Sequence, residues 1–433
     1  MKKFILILFF SLLFLNQSEA KNLIQALSEA YNNNLKLNAE RENLKIAKES
    51  INEAKSDFLP TITISGYLSD ENTTNQTNRS GASVKETDIG PSQKSIVIEQ
   101  KLFQGLGRVA NYKKNTIGLE LSQYKLKKNE QEILLKAVEA YTQLVLSNKK
   151  VKINISNVNL IERQVETDKN RLEQGEINLT DLAQSEASLA GAQAKLIEAQ
   201  NQLITSKLNY EKVIGILYSY DDLEEAHIFN YELPESLASA NQISKKESPD
   251  LNIALLELQQ SKKDVLIARS ELSPSASLSF KVTQTDDASS TYDEIDKQTL
   301  KAEASWPMFS GGKNLASLKK TQSLKHQKML LLEDAKRSTE AAVASAWSNF
   351  QSSKSFLISI QSQVKAAEIA NEGISTEYES GSGRSTLDVI QSNSILLDAK
   401  INLANSERDF LLSQFKLLSS IGRLTGFYLG FNN

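Results

Sequence analysis

Apolar residues recur at every seventh position along four long stretches of the chain. The first passes through Ala137, Leu144, Val151, Val158, Val165 and Leu172. After Gly175 a second passes through Leu182, Leu189, Leu196, Leu203, Tyr210 and Leu217. A strict seven-residue repeat keeps one seam toward a partner only when helices supercoil left-handedly. Two such runs joined by a short turn predict a long antiparallel coiled-coil hairpin. The pattern returns at Val343, Phe350, Leu357 and Val364, then at Val389, Leu396, Leu403, Phe410, Leu417 and Leu424, an offset of 343 − 137 = 206 residues. The chain therefore reads as an internal duplication, with repeats at 21–215 and 248–424, a linker at 216–247 and a tail at 425–433.

Each repeat opens with a helix that gives way to a different period. Leu23 to Asp57 has helical spacing, with a break expected at Asn32 to Asn34, and Pro60 stops it. Thr61 to Ser65 alternates polar and apolar, which is strand chemistry, and Ser95 to Phe103 completes a hairpin over 61–103. Ser69 to Pro91 reads as a long polar loop between them. Gly105 and Gly107 release the chain into the helical hairpin of 105–215. In the second repeat a helix from Ser248 to Leu272 precedes a hairpin at 275–309, with Ala276, Leu278, Phe280 and Val282 on one face. An acidic loop from Asp286 to Asp296 is expected inside it, and a helical hairpin at 312–424 follows.

None of the six prolines falls inside a long helix. From Gly105 to Gly175 a single helix would run roughly 105 Å at 1.5 Å per residue, a rod that needs partners along its length. Ala183, Ala187, Ala190 and Ala194 offer a face for close packing. The linker is expected to hold a strand at His227 to Tyr231 and a short helix after Pro234, and the tail from Gly426 to Phe431 to add a further strand.

Composition narrows the function. The net charge is −3, which gives no general attraction to nucleic acid. With no cysteine there is no disulfide or thiol chemistry. Lys2 and Lys3 precede an apolar run from Phe4 to Leu15, and Ser18-Glu19-Ala20 supplies a cleavage site, so 1–20 reads as a signal peptide. No later stretch has the apolar length of a transmembrane helix.

Export gives the alternating hairpins a meaning. Their polar faces carry Thr61, Thr63 and Ser65, or Ser275, Ser277, Ser279 and Lys281. Phe58, Tyr67, Phe103, Trp306 and Phe309 flank strands of about eight residues, as an aromatic girdle would. Sheet edges in lipid must be paired, and four strands cannot close a pore alone. Several copies sharing one barrel would satisfy both demands.

At this point the sequence resembles the TolC-like outer-membrane factor family over nearly all of its exported length. The likeness rests on Leu59-Pro60, Leu102-Phe103-Gln104-Gly105, Trp306-Pro307-Met308-Phe309-Ser310-Gly311-Gly312, Leu387-Asp388-Val389-Ile390-Gln391, and the helix ends Ile214-Gly215 and Ile421-Gly422, in order and duplicated. It implies a mainly α fold with transmembrane β: long coiled-coil hairpins forming an α-barrel, and four strands per chain in a shared 12-stranded β-barrel. It further implies a homotrimer that spans outer-membrane lipid and the periplasm. The duct would export drugs, other small molecules or proteins for an efflux pump or type I secretion system. Its tips would dock on a periplasmic adaptor (membrane fusion) protein and an inner-membrane transporter.

The resemblance also assigns roles at the two helical tips. Thr180 and Asp181 on the first would bond to Tyr378 and Arg384 on the second and hold the entrance shut, with Asp388 lining the pore. Arg384 stands one residue farther from Gly381 than the family spacing, and Gln391 stands where relatives carry a second acid. Gln174, Gly175, Glu176, Gly381, Ser382 and Gly383 would be the docking tips. From the residues alone, Asn178-x-x-Asp181 and Ser385-x-x-Asp388 read as helix capping boxes, a use compatible with gating. A charge-assisted link between Asp181 and Arg384 is the expected closing contact.

Little else points to chemistry. His227 and His326, the two histidines, lack ligand spacing. Asp286, Asp287, Asp293, Glu294 and Asp296 read as a solvated loop ahead of a cation site. Gly105-x-Gly107 and Gly381-x-Gly383 lack the context of a phosphate loop. No nucleophile has a base, so neither enzyme activity nor a cofactor is expected. A secreted coiled-coil scaffold or adhesin is the alternative. A periplasmic adaptor would need a lipoyl-like β-domain between its helical arms, which the pattern lacks.

Overall fold

A computed structural model describes residues 22–77, 81, 83–217, 232–289, 291–381 and 383–431. The expected leader at 1–20 and the expected strand from His227 to Tyr231 lie outside the described residues. Leu23–Asn33 (α1) and Leu35–Ser56 (α2) are separated at Asn34. The Asn34 side chain accepts from the N–H groups of Lys36 (3.0 Å) and Leu37 (3.2 Å). One residue thus ends a helix and caps the next, the use to which a short amide side chain is suited.

Four strands follow: Thr61–Leu68 (β1), Glu71–Thr77 (β2), Ser83–Ile89 (β3) and Ser92–Gln104 (β4). The first helical hairpin is Gly107–Glu173 (α3) and Leu179–Val213 (α4). The second repeat supplies Leu237–Glu247 (α5), Pro249–Ser270 (α6), Ser275–Ser289 (β5), Tyr292–Ser305 (β6), Lys313–Glu379 (α7) and Thr386–Ser420 (α8). α3 and α7 each have 67 residues, and α4 and α8 each have 35, so the duplication is kept to the residue in helix length. Pro249 opens α6, where its missing N–H has no helical partner to lose. No described helix is long and apolar enough to cross a membrane.

The chain divides into two compact units, each drawing on both repeats. One comprises residues 1–41, 125–250 and 336–433, and the other 42–124 and 251–335. The first holds the coiled-coil seams. Val158, Ile161, Val165, Leu182 and Ala192 are buried in one hairpin, and Ile360, Val364, Ala367 and Ala399 in the other. A larger core joins Leu23, Leu27, Ala137, Tyr141, Tyr210 and Phe415 with their neighbours. Two serine pairs bridge the hairpins at equivalent places, Ser147 with Ser206 and Ser353 with Ser413, each with hydroxyls 2.9 Å apart. Ala183, Ala187, Ala190 and Ala194 lie exposed on α4.

The tail does not add a strand. Leu424 and Leu429 are buried in the core, and the Phe431 N–H turns back to the Gly426 carbonyl (2.8 Å). Leu429, Tyr428 and Phe431 pack on the core while Phe427 is exposed, a turn spacing that forms no pleat. The Gly426 N–H donates to the Glu130 carboxylate. Burial pushes the Glu130 carboxyl above its ordinary value, against the opposing pull of Gly426, Arg41 and Lys127.

The second unit holds an antiparallel sheet in the order β1-β4-β5-β6. β4, β5 and β6 have 13, 15 and 14 residues, longer than the eight expected. The acidic segment is strand, not loop: Asp286 pairs with Glu294 and Gln284 with Asp296, and Ser289 pairs with Tyr292 across a short turn. The polar stretch after Leu68 is also not a loop, since β2 and β3 pair from Glu71–Ile89 to Thr77–Ser83. β2 has no apolar residue and β3 only Val84 and Ile89, so no apolar alternation marks the pair and its sequence reads as loop. His326 is exposed on α7.

Directly opposed residues share a face. Ile62 opposes Ile98, which opposes Phe280, which opposes Leu300; Ile64, Ile96 and Val282 form the next row. All these except Val282 are exposed on this single chain. A bulge between Lys101 and Phe103 sets Phe103 opposite Ala276, on the apolar face. The Trp306 Nε1–H donates to the Leu272 carbonyl (3.1 Å), fixing an aromatic at the end of β6.

Candidate functional site

The tip of each helical hairpin is built by a glycine and a cap. Gly175 (φ 76°) and Gly381 (φ 74°) adopt the left-handed backbone that lets a helix stop and reverse. The Glu176 N–H reaches back to the Arg171 carbonyl (2.9 Å), closing α3. Asn178 and Ser385 then open α4 and α8 as reciprocal capping boxes with Asp181 and Asp388, as the spacing predicts. The Ser385 N–H and hydroxyl hold the Asp388 carboxyl below its usual range.

These caps occupy the acids expected to close the entrance. The Asp181 carboxylate accepts from its own Asn178 N–H (3.3 Å). Arg384 pairs with Glu377 at 2.6 Å, which raises the guanidinium above its ordinary value. Within the chain the expected Asp181–Arg384 link is therefore not made, because each partner is engaged locally. Thr180 and Gln391 are exposed and Asp388 half-buried. Of the docking residues, Gln174, Gly175, Glu176, Gly381 and Gly383 are exposed, and Ser382 lies outside the described residues.

Tyr378 is engaged, though with a different acid. It is 2 % exposed, and its hydroxyl donates to Asp168 (2.6 Å) and lies 3.0 Å from the Thr386 hydroxyl. Asp168 is fully buried, at 0 % exposure. It also accepts from Gln164 Nε2 (2.9 Å) and from the Ser185 hydroxyl. A buried carboxylate is tolerable only when its lone pairs are met, and here three donors from three helices meet them. Arg171 closes the site. Its guanidinium stacks 4.4 Å from the Tyr378 ring centroid and donates to the Tyr378 carbonyl (3.1 Å), while its Nε holds Glu176 (2.9 Å). Burial, and then the bond to Asp168, push the Tyr378 hydroxyl above its ordinary value.

Sequence reasoning selected Tyr378 and missed its partners Asp168, Thr386 and Arg171, and Ser185, which donates to Asp168. A signal for Asp168 existed in a companion heptad. Ala140, Ser147, Asn154, Ile161 and Asp168 also recur every seventh residue and are all buried. An acid on a seam is an acid that must find donors.

Comparison with known proteins matches this architecture. The family model described as outer membrane efflux protein matches residues 26–215 and 241–423. The outer membrane efflux protein BepC of Brucella suis biovar 1 is 27 % identical over 413 residues, 95 % of this chain and 87 % of that one. The outer membrane protein TolC of Escherichia coli K12 is 23 % identical over 424 residues, 95 % of this chain and 84 % of that one. The crystal structure of the Campylobacter jejuni CmeC outer membrane channel superposes with a TM-score of 0.84 at 16 % identity, over 94 % of this chain and 86 % of that one.

Proposed function

Because the chain belongs to the outer membrane efflux protein family, we propose that three copies assemble into one outer-membrane conduit that passes cargo handed over by partner proteins. The observation that carries this is the sheet. Its apolar face suits lipid, and among the described residues β1 and β6 each pair on one side only. Joining β6 of one copy to β1 of the next removes every edge, and three copies give 3 × 4 = 12 strands. The helical hairpins then form the periplasmic tube, with the exposed alanines of α4 against neighbouring helices. The duct does no chemistry, so transport energy comes from the inner-membrane transporter, reached through a periplasmic adaptor. Cargo is a drug, another small molecule or a protein.

The closed tip is held in each chain by Tyr378, Asp168, Ser185, Thr386 and Arg171. Their bonds tie the end of α7 to α3 and to the starts of α4 and α8. Separating the hairpin ends strips donors from a buried carboxylate, which favours the shut state until a partner supplies compensating contacts. Asp181, Arg384 and Asp388 then serve the surface of the tip and Asp388 the mouth of the pore.

The test is purification in detergent, followed by mass measurement and recording in a planar bilayer. A trimer that conducts is the expected result. A well-folded monomer in plain buffer, silent in bilayers, would overturn the reading in favour of a secreted scaffold or adhesin.

A further inference from the structure

The face of the sheet opposite Ile62, Ile98, Phe280 and Leu300 carries charge at the same levels. Lys101 on β4 opposes Ser277, which opposes Glu303 on β6. One rung away, Glu99 opposes Ser279, which opposes Lys301. Lys281 opposes Val97 and Thr299, and Lys297 opposes Thr283. All six charged side chains are exposed. Thr61, Thr63 and Ser65 complete the rows on β1 without charge.

The balance is not neutral. Lys301 and Glu303 form an ion pair at 2.5 Å. That leaves Glu99 against Lys101, Lys281 and Lys297. Over the whole face, where Asp293 of β6 adds a third acid, the sum is 4 − 3 = +1 per chain. The nearby acids Asp286, Glu294 and Asp296 do not offset it, because their register puts them on the other face, past Val282. Glu99, Lys101, Ser277 and Glu303 line one hollow of about 320 Å³ on the charged face. Lysines level with an apolar band are costly toward lipid and ordinary toward water, so this face is the lumenal one.

We infer that the strand-lined section of the conduit is an anion-favouring sleeve, selecting for cargo that presents carboxylate or phosphate groups. The inference rests on the proposed trimeric channel, in which three chains put 3 × 1 = +3 around one water-filled bore. Walls of low dielectric focus such a field, and rings of like charge set ion preference in pores. The sleeve is distinct from the tip acids, whose sign is opposite.

The experiment is reversal potential across a planar bilayer under a KCl gradient, with Asp388 unchanged in every channel. Replacing two of the three lysines outside the ion pair together, Lys281→Gln with Lys297→Gln, lowers the chloride-to-potassium permeability ratio roughly threefold. Glu99→Gln raises it, and this variant decides the matter should the lysine pair fail to assemble. Conducting channels with an unchanged ratio in either variant would overturn the sleeve and leave the channel standing. A wild-type protein that never conducts would overturn the channel itself.

Discussion

The Tyr378 hydroxyl donates to the Asp168 carboxylate across 2.6 Å, although the two stand 210 positions apart in the chain. Both groups are buried, so neither has water as an alternative partner. Asp168→Asn keeps the volume and loses the charge. Tyr378→Phe keeps the ring and loses the donor. Each is expected to weaken the tip by about 1–3 kcal/mol, and the double variant to cost less than the sum. Bilayer recordings should show higher single-channel conductance for both; unchanged conductance in both would remove the latch.

Asp181→Ala is expected to act through helix capping. Losing the acid half of a capping box weakens the start of α4 by about 1 kcal/mol. Arg384→Ser breaks an exposed pair, and such pairs contribute little. Neither should raise conductance as Tyr378→Phe does. A larger rise in either would return the closing contact to Asp181 and Arg384.

The serine bridges offer a cleaner measurement. Ser206→Ala removes one partner of Ser147 and should lower stability by about 1 kcal/mol. Adding Ser147→Ala should cost almost nothing more, since no hydroxyl then lacks its mate. Ser353 and Ser413 should behave alike. Thermal unfolding followed by circular dichroism reads the difference, and additive losses would mean that the bridge contributes nothing.

Glu130 predicts a pH effect. Its carboxyl is raised above the ordinary 4.5 chiefly by burial. Between 4.5 and that raised value the folded chain binds more protons than the unfolded one. Stability therefore falls as pH rises through that window. Glu130→Gln removes the titration and keeps an oxygen for the Gly426 N–H. Its melting temperature should exceed wild type at pH 7 and approach it near pH 4. An equal gain at both values would rule out this cause.

Periodicity made most of the fold legible. Ala137, Leu144, Tyr210, Val389 and Leu417 all lie buried where the heptads place them. Both capping boxes could be read because a cap is local chemistry over four residues. Asp168 could not be assigned its partner, because Tyr378 lies 210 residues away and the bond depends on how α3 meets α7. The strands were cut short for a related reason: alternation marks where one face meets an apolar medium. Past Val282 the pairing of Asp286 with Glu294 continues without that constraint.

The two repeats share their helix lengths residue for residue, yet only the first carries the acid and only the second the tyrosine. The position 206 after Asp168 is Ile374, and 206 before Tyr378 is Leu172. A genetic exchange that copied either half over the other would preserve every helix and lose the bond between them. Two segments of equal helix length are thus mutually dependent, each supplying one half of a bond that neither could make with a copy of itself.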